Sequence, residues 1–146
     1  MTLAIETSCD DTSVAIIEKG SRHGNTLAQL HFHKKVTSDN SEYKGVHPLR
    51  ALVSHQENLA RLVSEAISHL PEREHGRAPV PGASPEAKST DAIDISTKRL
   101  PDFVSVTRGP GMRSNLFHGL DVAKGLAAAW QVLDANCFYD IMLKTS

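Results

Sequence analysis

Short apolar runs alternating with polar turns open the chain. Residues 3–5 form a run typical of a buried strand, and residues 13–17 form a second run rich in β-branched side chains. After a turn cluster over 19–25, the alternation across 27–36 predicts a third strand. Because short turns join these three strands, the pattern predicts a β-meander.

A polar segment, residues 6–12 with the sequence ETSCDDT, separates the first two predicted strands. Its Ser and Thr hydroxyls and the N–H groups of such a turn are suited to a phosphate. Asp10 and Asp11 would repel a bare phosphate, but they would hold a hard cation, directly or through its water shell, that in turn holds phosphate oxygens. A solvated hairpin without a ligand explains the spacing equally well.

An amphipathic helix is predicted to begin at His47 and Pro48 and to end before Pro71. Its apolar stripe recurs every three or four residues. The stripe comprises Leu49, Leu52, Val53, Leu59, Leu62, Val63, Ala66, Ile67 and Leu70. Four polar residues, 55–58 with the sequence HQEN, interrupt it, and we interpret them as a solvated face of a core-packing helix.

Residues 72–98 contain three prolines, two glycines and scattered charges, which predicts a mobile insertion within the domain. The pattern resumes with a strand at 103–107. We therefore assign residues 1–131 to one incomplete α/β domain and residues 132–146, which lack periodicity and caps, to a divergent tail.

A glycine-rich turn, RGPGMRS at 108–114, follows the last predicted strand and precedes a helix. Strand, glycine-rich turn and helix in this order favour phosphate binding at the helix N-terminus. No G-K-[ST] follows, so this is not a Walker loop. The inner face of the helix is predicted to carry Leu116, Leu120, Ala123, Leu126, Ala127 and Trp130. Gly119 and Gly125 are predicted to be close-packing positions, because glycine weakens a helix by about 1 kcal/mol relative to alanine.

Composition narrows the function classes only slightly. The 146 residues carry a net charge of −1 and 40% hydrophobic residues, so bulk charge indicates neither a nucleic-acid nor a membrane partner. No apolar run is long enough to span a membrane, and Met1 leads almost at once into the first strand, where a signal peptide would otherwise stand. Cys9 and Cys137 are too few for a disulfide framework. His31 and His33 form an H-x-H that we interpret as exposed strand histidines.

Three strings in order carry a family resemblance: ETSCDDT at 6–12, VTRGPGM at 106–112 and GLDVAKGLA at 119–127. Together they resemble the bacterial and mitochondrial branch of the tRNA threonylcarbamoyladenosine-synthesis transferases, once called O-sialoglycoprotein endopeptidases. The resemblance covers residues 3–131 apart from the insertion. It implies an actin-like, ribonuclease-H-like α/β fold, in which the meander and first helix begin one lobe of a two-lobed nucleotide-binding enzyme.

The resemblance also implies an activity. Such enzymes transfer threonylcarbamoyl from threonylcarbamoyl-adenylate to N6 of the adenosine beside the anticodon of tRNA, and full-length members use a divalent metal, zinc or iron. Residues carried over to the phosphate and metal side of the cleft are Ser8, Asp10, Asp11, Thr12, Gly109, Pro110 and Gly111. The branch implies a mitochondrial location, with the cytoplasm as the alternative, and a partner protein or a homodimer besides tRNA.

One departure from the family pattern limits which functional residues can be assigned to this chain. The family has an H-x-x-x-H metal-binding pair shortly after the helix that ends A-W-Q, and here no such pair follows Gln131. We therefore expect that this chain alone binds no zinc or iron and transfers nothing, and we assign no catalytic residue. A truncated gene model, a splice variant or a frameshift would each give this pattern. The alternatives are a non-catalytic, partner-binding half-lobe and a piece of another actin-like ATPase.

Overall fold

The computed structural model of the protein describes residues 1–73 and 95–132. Its elements are β1 (Thr2–Glu6), β2 (Asp11–Arg22), β3 (Asn25–Thr37), α1 (Pro48–Ser68), a 3-10 turn (Ile95–Thr97), β4 (Phe103–Val106) and α2 (Arg113–Trp130). The interior of the predicted insertion and the predicted tail from residue 133 onward lie outside the described residues. Mobility there and the divergence of the tail stay predictions.

The four strands form one sheet in the order β3-β2-β1-β4. β1 and β2 are antiparallel, as are β2 and β3, which confirms the predicted meander. β4 lies parallel to β1 on its other side, with α1 in the connection between them. The arrangement confirms an α/β class and is consistent with part of an actin-like, ribonuclease-H-like lobe.

β2 and β3 are longer than the sequence pattern indicated. Asp11 pairs with Thr37 and Thr12 pairs with Val36, so both belong to strand β2 rather than to the turn before it. The polar turn is thereby reduced to residues 7–10. At the other end of the hairpin, β2 continues through most of the predicted turn cluster, because its ladder to β3 runs as far as Arg22 and Asn25.

The hydrophobic core lies between one face of the sheet and the two helices. Its buried residues from the sheet are Leu3, Ile5, Val14, Ile16, Phe32 and Val104, and those from the helices are Leu59, Leu62, Val63, Ala66 and Ala123. We call this the covered face. On the opposite, open face, no described helix packs, and Ile17 and Leu30 are 36% and 60% exposed.

Helix α1 begins and ends where the sequence predicted. Pro48 stands in its first turn, and the His47 side chain accepts a hydrogen bond from the Arg50 N–H at 3.4 Å. Its apolar stripe is narrower at the start than predicted, since Leu49 is 63% and Val53 37% exposed. The face that packs on the sheet begins at Ala51.

Helix α2 is rotated relative to the prediction. Asn115, Gly119 and Ala123 form its buried face, while Leu116 and Leu120 are only half-buried. The prediction for Gly119 is confirmed, because a Cβ there would lie 2.3 Å from the Thr7 Oγ1. The prediction for Gly125 is wrong, because a Cβ there would meet no described atom within 4 Å.

The two ends of the predicted insertion pair with each other. Glu72 and Lys98 form an isolated antiparallel bridge and an ion pair of 2.7 Å. The Arg73 N–H donates to the Thr97 carbonyl at 2.8 Å. Residues 72–73 and 95–98 therefore belong to the structured part, and only the remaining segment between them keeps the predicted character of an insertion. Across residues 1–73 and 95–132, neither helix has the length and apolar character needed to cross a membrane.

Candidate functional site

The polar turn at 7–10 and the glycine-rich loop at 108–112 meet at one edge of the sheet. Parallel pairing of β1 with β4 brings their carboxyl ends to the same edge, with Ile5 opposite Val106. The Thr107 N–H donates to the Ile5 carbonyl at 3.1 Å and extends this pairing by one step. The two segments that the sequence singled out as phosphate-facing are therefore neighbours.

Gly111 is the closest point of contact between the two segments. A Cβ at this position would lie 2.5 Å from the Ser8 carbonyl oxygen and 2.7 Å from the Ser8 Cβ, so only glycine fits. The Met112 N–H donates to the same Ser8 carbonyl at 2.8 Å. The loop is thus joined to the turn by both packing and a backbone hydrogen bond.

Glu6 organises the turn from the end of β1. Its carboxylate accepts a hydrogen bond from the Ser8 N–H at 2.6 Å and another from the Thr107 hydroxyl. One carboxylate therefore connects the turn after β1 to the residue that follows β4. Because the Ser8 N–H is engaged by Glu6, the Ser8 hydroxyl is the group that this residue can offer to a ligand.

His55 is not on a solvated face, and that prediction is wrong. It is fully buried on α1, with its Nδ1 2.7 Å from the Thr12 hydroxyl and its Nε2 3.1 Å from the Cys9 carbonyl oxygen. A carbonyl only accepts, so Nε2 carries the proton and the Thr12 hydroxyl donates to Nδ1. Burial lowers the pKa of His55, and the nearby His118 lowers it further, which favours this neutral ring. Gln56 and Glu57 are exposed as predicted.

Asn115 completes the support of the turn from α2. Its side-chain amide donates to the Cys9 carbonyl at 2.7 Å, and its own carbonyl accepts from the Thr7 hydroxyl at 2.8 Å. Sequence reasoning missed both Asn115 and the role of His55. The sequence feature that could have identified both is their position on the helix. His55 is four residues from buried Ala51, and Asn115 is four residues from buried Gly119, so each lies on the buried side of its helix.

Two of the residues that were predicted to face a ligand form hydrogen bonds with other residues of the protein. The Thr12 hydroxyl points at His55 on the covered face, so the expectation that it points out of the hairpin is wrong. Asp11 lies at the start of β2, where its carboxylate accepts from Lys35 at 2.8 Å and from the Thr37 hydroxyl at 2.5 Å. These hydrogen bonds hold the pKa of Asp11 below its usual value.

Among the described residues, no group of side chains fits the zinc or iron that the resemblance implies for full-length members. Within residues 1–73 and 95–132, no three His, Cys, Asp or Glu side chains group as a metal site. The Asp11 carboxylate is held by a lysine, and zinc takes nitrogen or sulfur ligands in most proteins. His31 pairs with Glu18 at 2.9 Å and His33 lies 3.2 Å from the Ser13 hydroxyl, each on the sheet.

A groove of about 340 Å³ lies beside the loop, on the outer side of α2. Its lining residues are Thr107, Arg108, Gly111, Arg113, Leu116, Phe117 and Leu120. The guanidinium carbon of Arg113 lies 5.2 Å from the centre of the Phe117 ring. The groove therefore combines cationic side chains with an apolar wall directly next to the turn-contacting glycine.

No family model matches the chain. A mitochondrial tRNA N6-adenosine threonylcarbamoyltransferase of Schizosaccharomyces pombe is 36% identical over 132 residues, covering 88% of this chain and 26% of the relative. The tRNA N6-adenosine threonylcarbamoyltransferase of Kosmotoga olearia is 35% identical over 126 residues, covering 86% and 29%. That of Phocaeicola vulgatus is 32% identical over 136 residues, covering 92% and 31%.

Over 86–92% of its length, the chain corresponds to part of the tRNA N6-adenosine threonylcarbamoyltransferase family. It spans only 26–31% of the length of these relatives. In this chain, the structure brings Ser8, Gly109, Pro110 and Gly111 to one edge of the sheet, with the backbone of Asp10 in the same turn. It places Asp11 on the open face and Thr12 on the covered face, so the seven predicted residues do not form a single cluster.

Proposed function

We propose that this chain forms one wall of the substrate cleft of a tRNA threonylcarbamoyltransferase. The observation that supports this most strongly is the contact between the polar turn and the glycine-rich loop, in which Gly111 packs directly on Ser8. The three relatives named above are tRNA N6-adenosine threonylcarbamoyltransferases and align over most of this chain. The cleft function is then that of the longer protein, to which this chain contributes its turn-and-loop edge.

In the proposed reaction, the N6 amine of a tRNA adenosine attacks the carbamoyl carbon of threonylcarbamoyl-adenylate. A new N–C bond forms, the bond to AMP breaks and one N6 proton is lost. The residues present would bind and orient the adenylate rather than transfer protons. Ser8, Asp10 and the 109–111 loop would lie near its phosphate, with Asp10 acting on a hard cation and not on the phosphate itself.

The groove next to the loop supports an adenylate as the ligand class. Arg108 and Arg113 line it together with the apolar side chains of Leu116, Phe117 and Leu120. Guanidinium groups bind phosphates, and apolar or aromatic walls accept a purine ring. An adenylate presents both features within one small molecule, which fits a groove of this size.

For the chain by itself, we propose that neither zinc nor iron is bound at stoichiometric level, that ATP is bound more weakly than micromolar because this chain forms only one wall of the cleft, and that no transfer occurs. The support is chemical. Asp11 is engaged by Lys35 and Thr37, and Asp10 and Asp11 offer only oxygen ligands, which suit Mg²⁺ better than zinc or iron. Elemental analysis of the purified chain, with a calorimetric titration of Mg·ATP, tests this. Stoichiometric transition metal, or micromolar ATP affinity, would contradict it.

A chimera tests the cleft function directly. The 132 aligned residues of the Schizosaccharomyces pombe relative would be replaced by the matching part of this chain, and threonylcarbamoyladenosine would be measured in tRNA. We expect the chimera to be active. Gly111→Val should abolish this activity because the valine side chain would collide with Ser8. Gly125→Ala, on α2 where a Cβ would meet no described atom within 4 Å, should leave the chimera active. An inactive but folded wild-type chimera would refute the proposal.

The open face favours a second candidate function, in which the chain binds another protein. Ala4, Ala15, Ile17 and Leu30 contribute to a shallow depression of about 510 Å³ on that face. We propose either a second copy or a protein of the same modification pathway as partner. Sedimentation velocity of the purified chain, with Leu30→Glu as the control, tests self-association. A monomer at all concentrations would exclude a second copy of the chain as the partner.

We propose a mitochondrial location, with the cytoplasm as the alternative. The support is the Schizosaccharomyces pombe relative, whose name is that of a mitochondrial enzyme. Fractionation of cells that express the tagged protein from its own gene would decide between the two compartments.

A further inference from the structure

The Cys9 carbonyl oxygen is held by both helices at once. From α1, the His55 Nε2–H donates to it at 3.1 Å, and from α2, the Asn115 side-chain amide donates to it at 2.7 Å. A carbonyl has two lone pairs, and here a side chain occupies each. Cys9 lies in the middle of the polar turn, so this is the point where the turn is attached to both core helices.

The rest of the turn is attached elsewhere. The Thr7 hydroxyl donates to the Asn115 carbonyl, and the Ser8 carbonyl accepts from the Met112 N–H at 2.8 Å. The Asp10 carbonyl accepts from the Ser38 N–H at 2.8 Å. Among the described residues of α1, His55 is the one that hydrogen-bonds to this turn.

We propose that His55 is a positioning residue for the polar turn at 7–10. Its neutral ring connects the Thr12 hydroxyl at the start of β2 to the Cys9 carbonyl, and this connection fixes the turn in the conformation that contacts Gly111. The relevance of that conformation to a ligand rests on the cleft function proposed above. The positioning role itself is a property of this chain and is measurable without ligand.

A simple core-filling role would have different consequences. An apolar residue of similar volume would fill the space of the fully buried His55, but it would leave the Thr12 hydroxyl buried without an acceptor. It would also remove the α1 donor from the Cys9 carbonyl. Removing only the hydroxyl at Thr12 disturbs the same connection from its other end, with no change in the volume of His55.

The experiment uses the 146-residue chain and compares Thr12→Val with Thr12→Ser. Two signals report on the turn: amide exchange at Met112, whose N–H is bound to the Ser8 carbonyl, and amide exchange at Ser38, whose N–H is bound to the Asp10 carbonyl. We expect Thr12→Val to accelerate both by about tenfold, the size of one lost buried hydrogen bond. Thr12→Ser, which keeps the hydroxyl, should stay within about twofold of wild type.

Matched variants keep the test specific. Gln56→Ala, next to His55 but exposed, should leave both signals unchanged, whereas His55→Leu should accelerate both. A role limited to core filling would raise exchange in β1 and α1 as much as at Met112, and that result would overturn the proposal. So would a folded Thr12→Val variant with unchanged amide exchange at Met112 and Ser38.

The two proposals fail in different experiments. An inactive chimera together with accelerated Met112 exchange in Thr12→Val would refute the cleft function and support the positioning role. An active chimera together with unchanged exchange would do the reverse. In the wild-type chain, ¹⁵N spectra of the His55 ring should show the neutral form protonated at Nε2, and a form protonated at Nδ1 would overturn the positioning role.

Discussion

The side chains on the two faces of the sheet are stabilised by different interactions. On the covered face, apolar side chains from all four strands and both helices exclude water, and the polar groups that remain, such as His55 and Asn115, are hydrogen-bonded. On the open face, Ile17 and Leu30 are partly or largely exposed, and the polar groups pair at the surface, as Lys35 does with Asp11. Substitutions of one type should therefore have unequal effects on the two faces.

The largest difference is expected between two leucines. Leu62 on α1 is fully buried and Leu30 on β3 is 60% exposed. Leu62→Ala should lower the free energy of unfolding by about 2–5 kcal/mol through lost burial and a cavity. Leu30→Ala should change it by no more than about 0.5 kcal/mol. Urea denaturation followed by circular dichroism measures both.

The same measurement sets a baseline for the wild-type chain. Because the open face leaves apolar surface exposed, we expect marginal stability, with thermal unfolding below about 60 °C. A sharp transition well above that temperature would contradict the view that the open face lacks a covering partner. Equal losses for Leu62→Ala and Leu30→Ala would contradict it as well.

Substituting alanine for each of the two glycines of α2 should change the free energy of unfolding in opposite directions. A Cβ at Gly119 would lie 2.3 Å from the Thr7 Oγ1, whereas a Cβ at Gly125 would lie in open space. Gly119→Ala should cost about 1–3 kcal/mol, because α2 must move away from the turn. Gly125→Ala should stabilise the chain by up to about 1 kcal/mol, since alanine is the better helix former. Two effects of the same sign would show that α2 does not pack as described.

The sequence predicted the covered face better than it predicted the site. Meander, helices and the Gly119 contact follow from local periodicity, turn residues and helix propensity, which depend on neighbours in the chain. The family resemblance also implied that the turn and the loop lie on the same side of the cleft, and the structure brings them into contact. The local pattern could not show that Thr12 faces inward, because this depends on where the ladder between β2 and β3 ends.

His55 and Asn115 were missed for a related reason. The sequence interpretation places His55 on a solvated face, although its position on the helix is in phase with buried Ala51, and it assigns no role to Asn115. Only the tertiary structure places the Cys9 carbonyl within reach of both residues. In such helices, phase is a better guide than polarity, and a polar residue in phase with the core indicates a hydrogen-bonded partner.

The buried histidine of the covered face should make the stability of the chain depend on pH. Burial lowers the pKa of His55 from 6.5 and outweighs the hydrogen bond to the Cys9 carbonyl, which raises it; the charge of His118 lowers the pKa further, against the smaller effects of Glu6 and Asp10. Below about pH 6.5 the unfolded chain then binds more protons than the folded one, so the free energy of unfolding falls as the pH falls, by at most about 1.4 kcal/mol per unit.

Urea denaturation at pH 7.5, 6.5 and 5.5 would measure this slope. We expect it in the wild type and in His33→Gln on the open face, and expect it to be much reduced in His55→Gln. Asp11 contributes in a separate window: its lowered pKa stabilises the fold above about pH 4, and this contribution is lost as the pH falls through the folded-state value. A slope between pH 6.5 and 5.5 that survives in His55→Gln would assign it to another group.

The smallest effect is expected from a change that touches neither face, the deletion of residues 74–94. Their flanks are already paired, since the Arg73 N–H donates to Thr97 at 2.8 Å and Lys98 forms an ion pair with Glu72 at 2.7 Å. Because the composition predicts that 74–94 adds no packing, replacing this segment by a short Gly/Ser linker should only shorten the connection between these paired ends. Each halving of loop length should stabilise the chain by about 0.6 kcal/mol, because closure entropy grows with the logarithm of length. Loss of soluble expression, or a stability change as large as that of Leu62→Ala, would mean that this segment packs against one of the two faces.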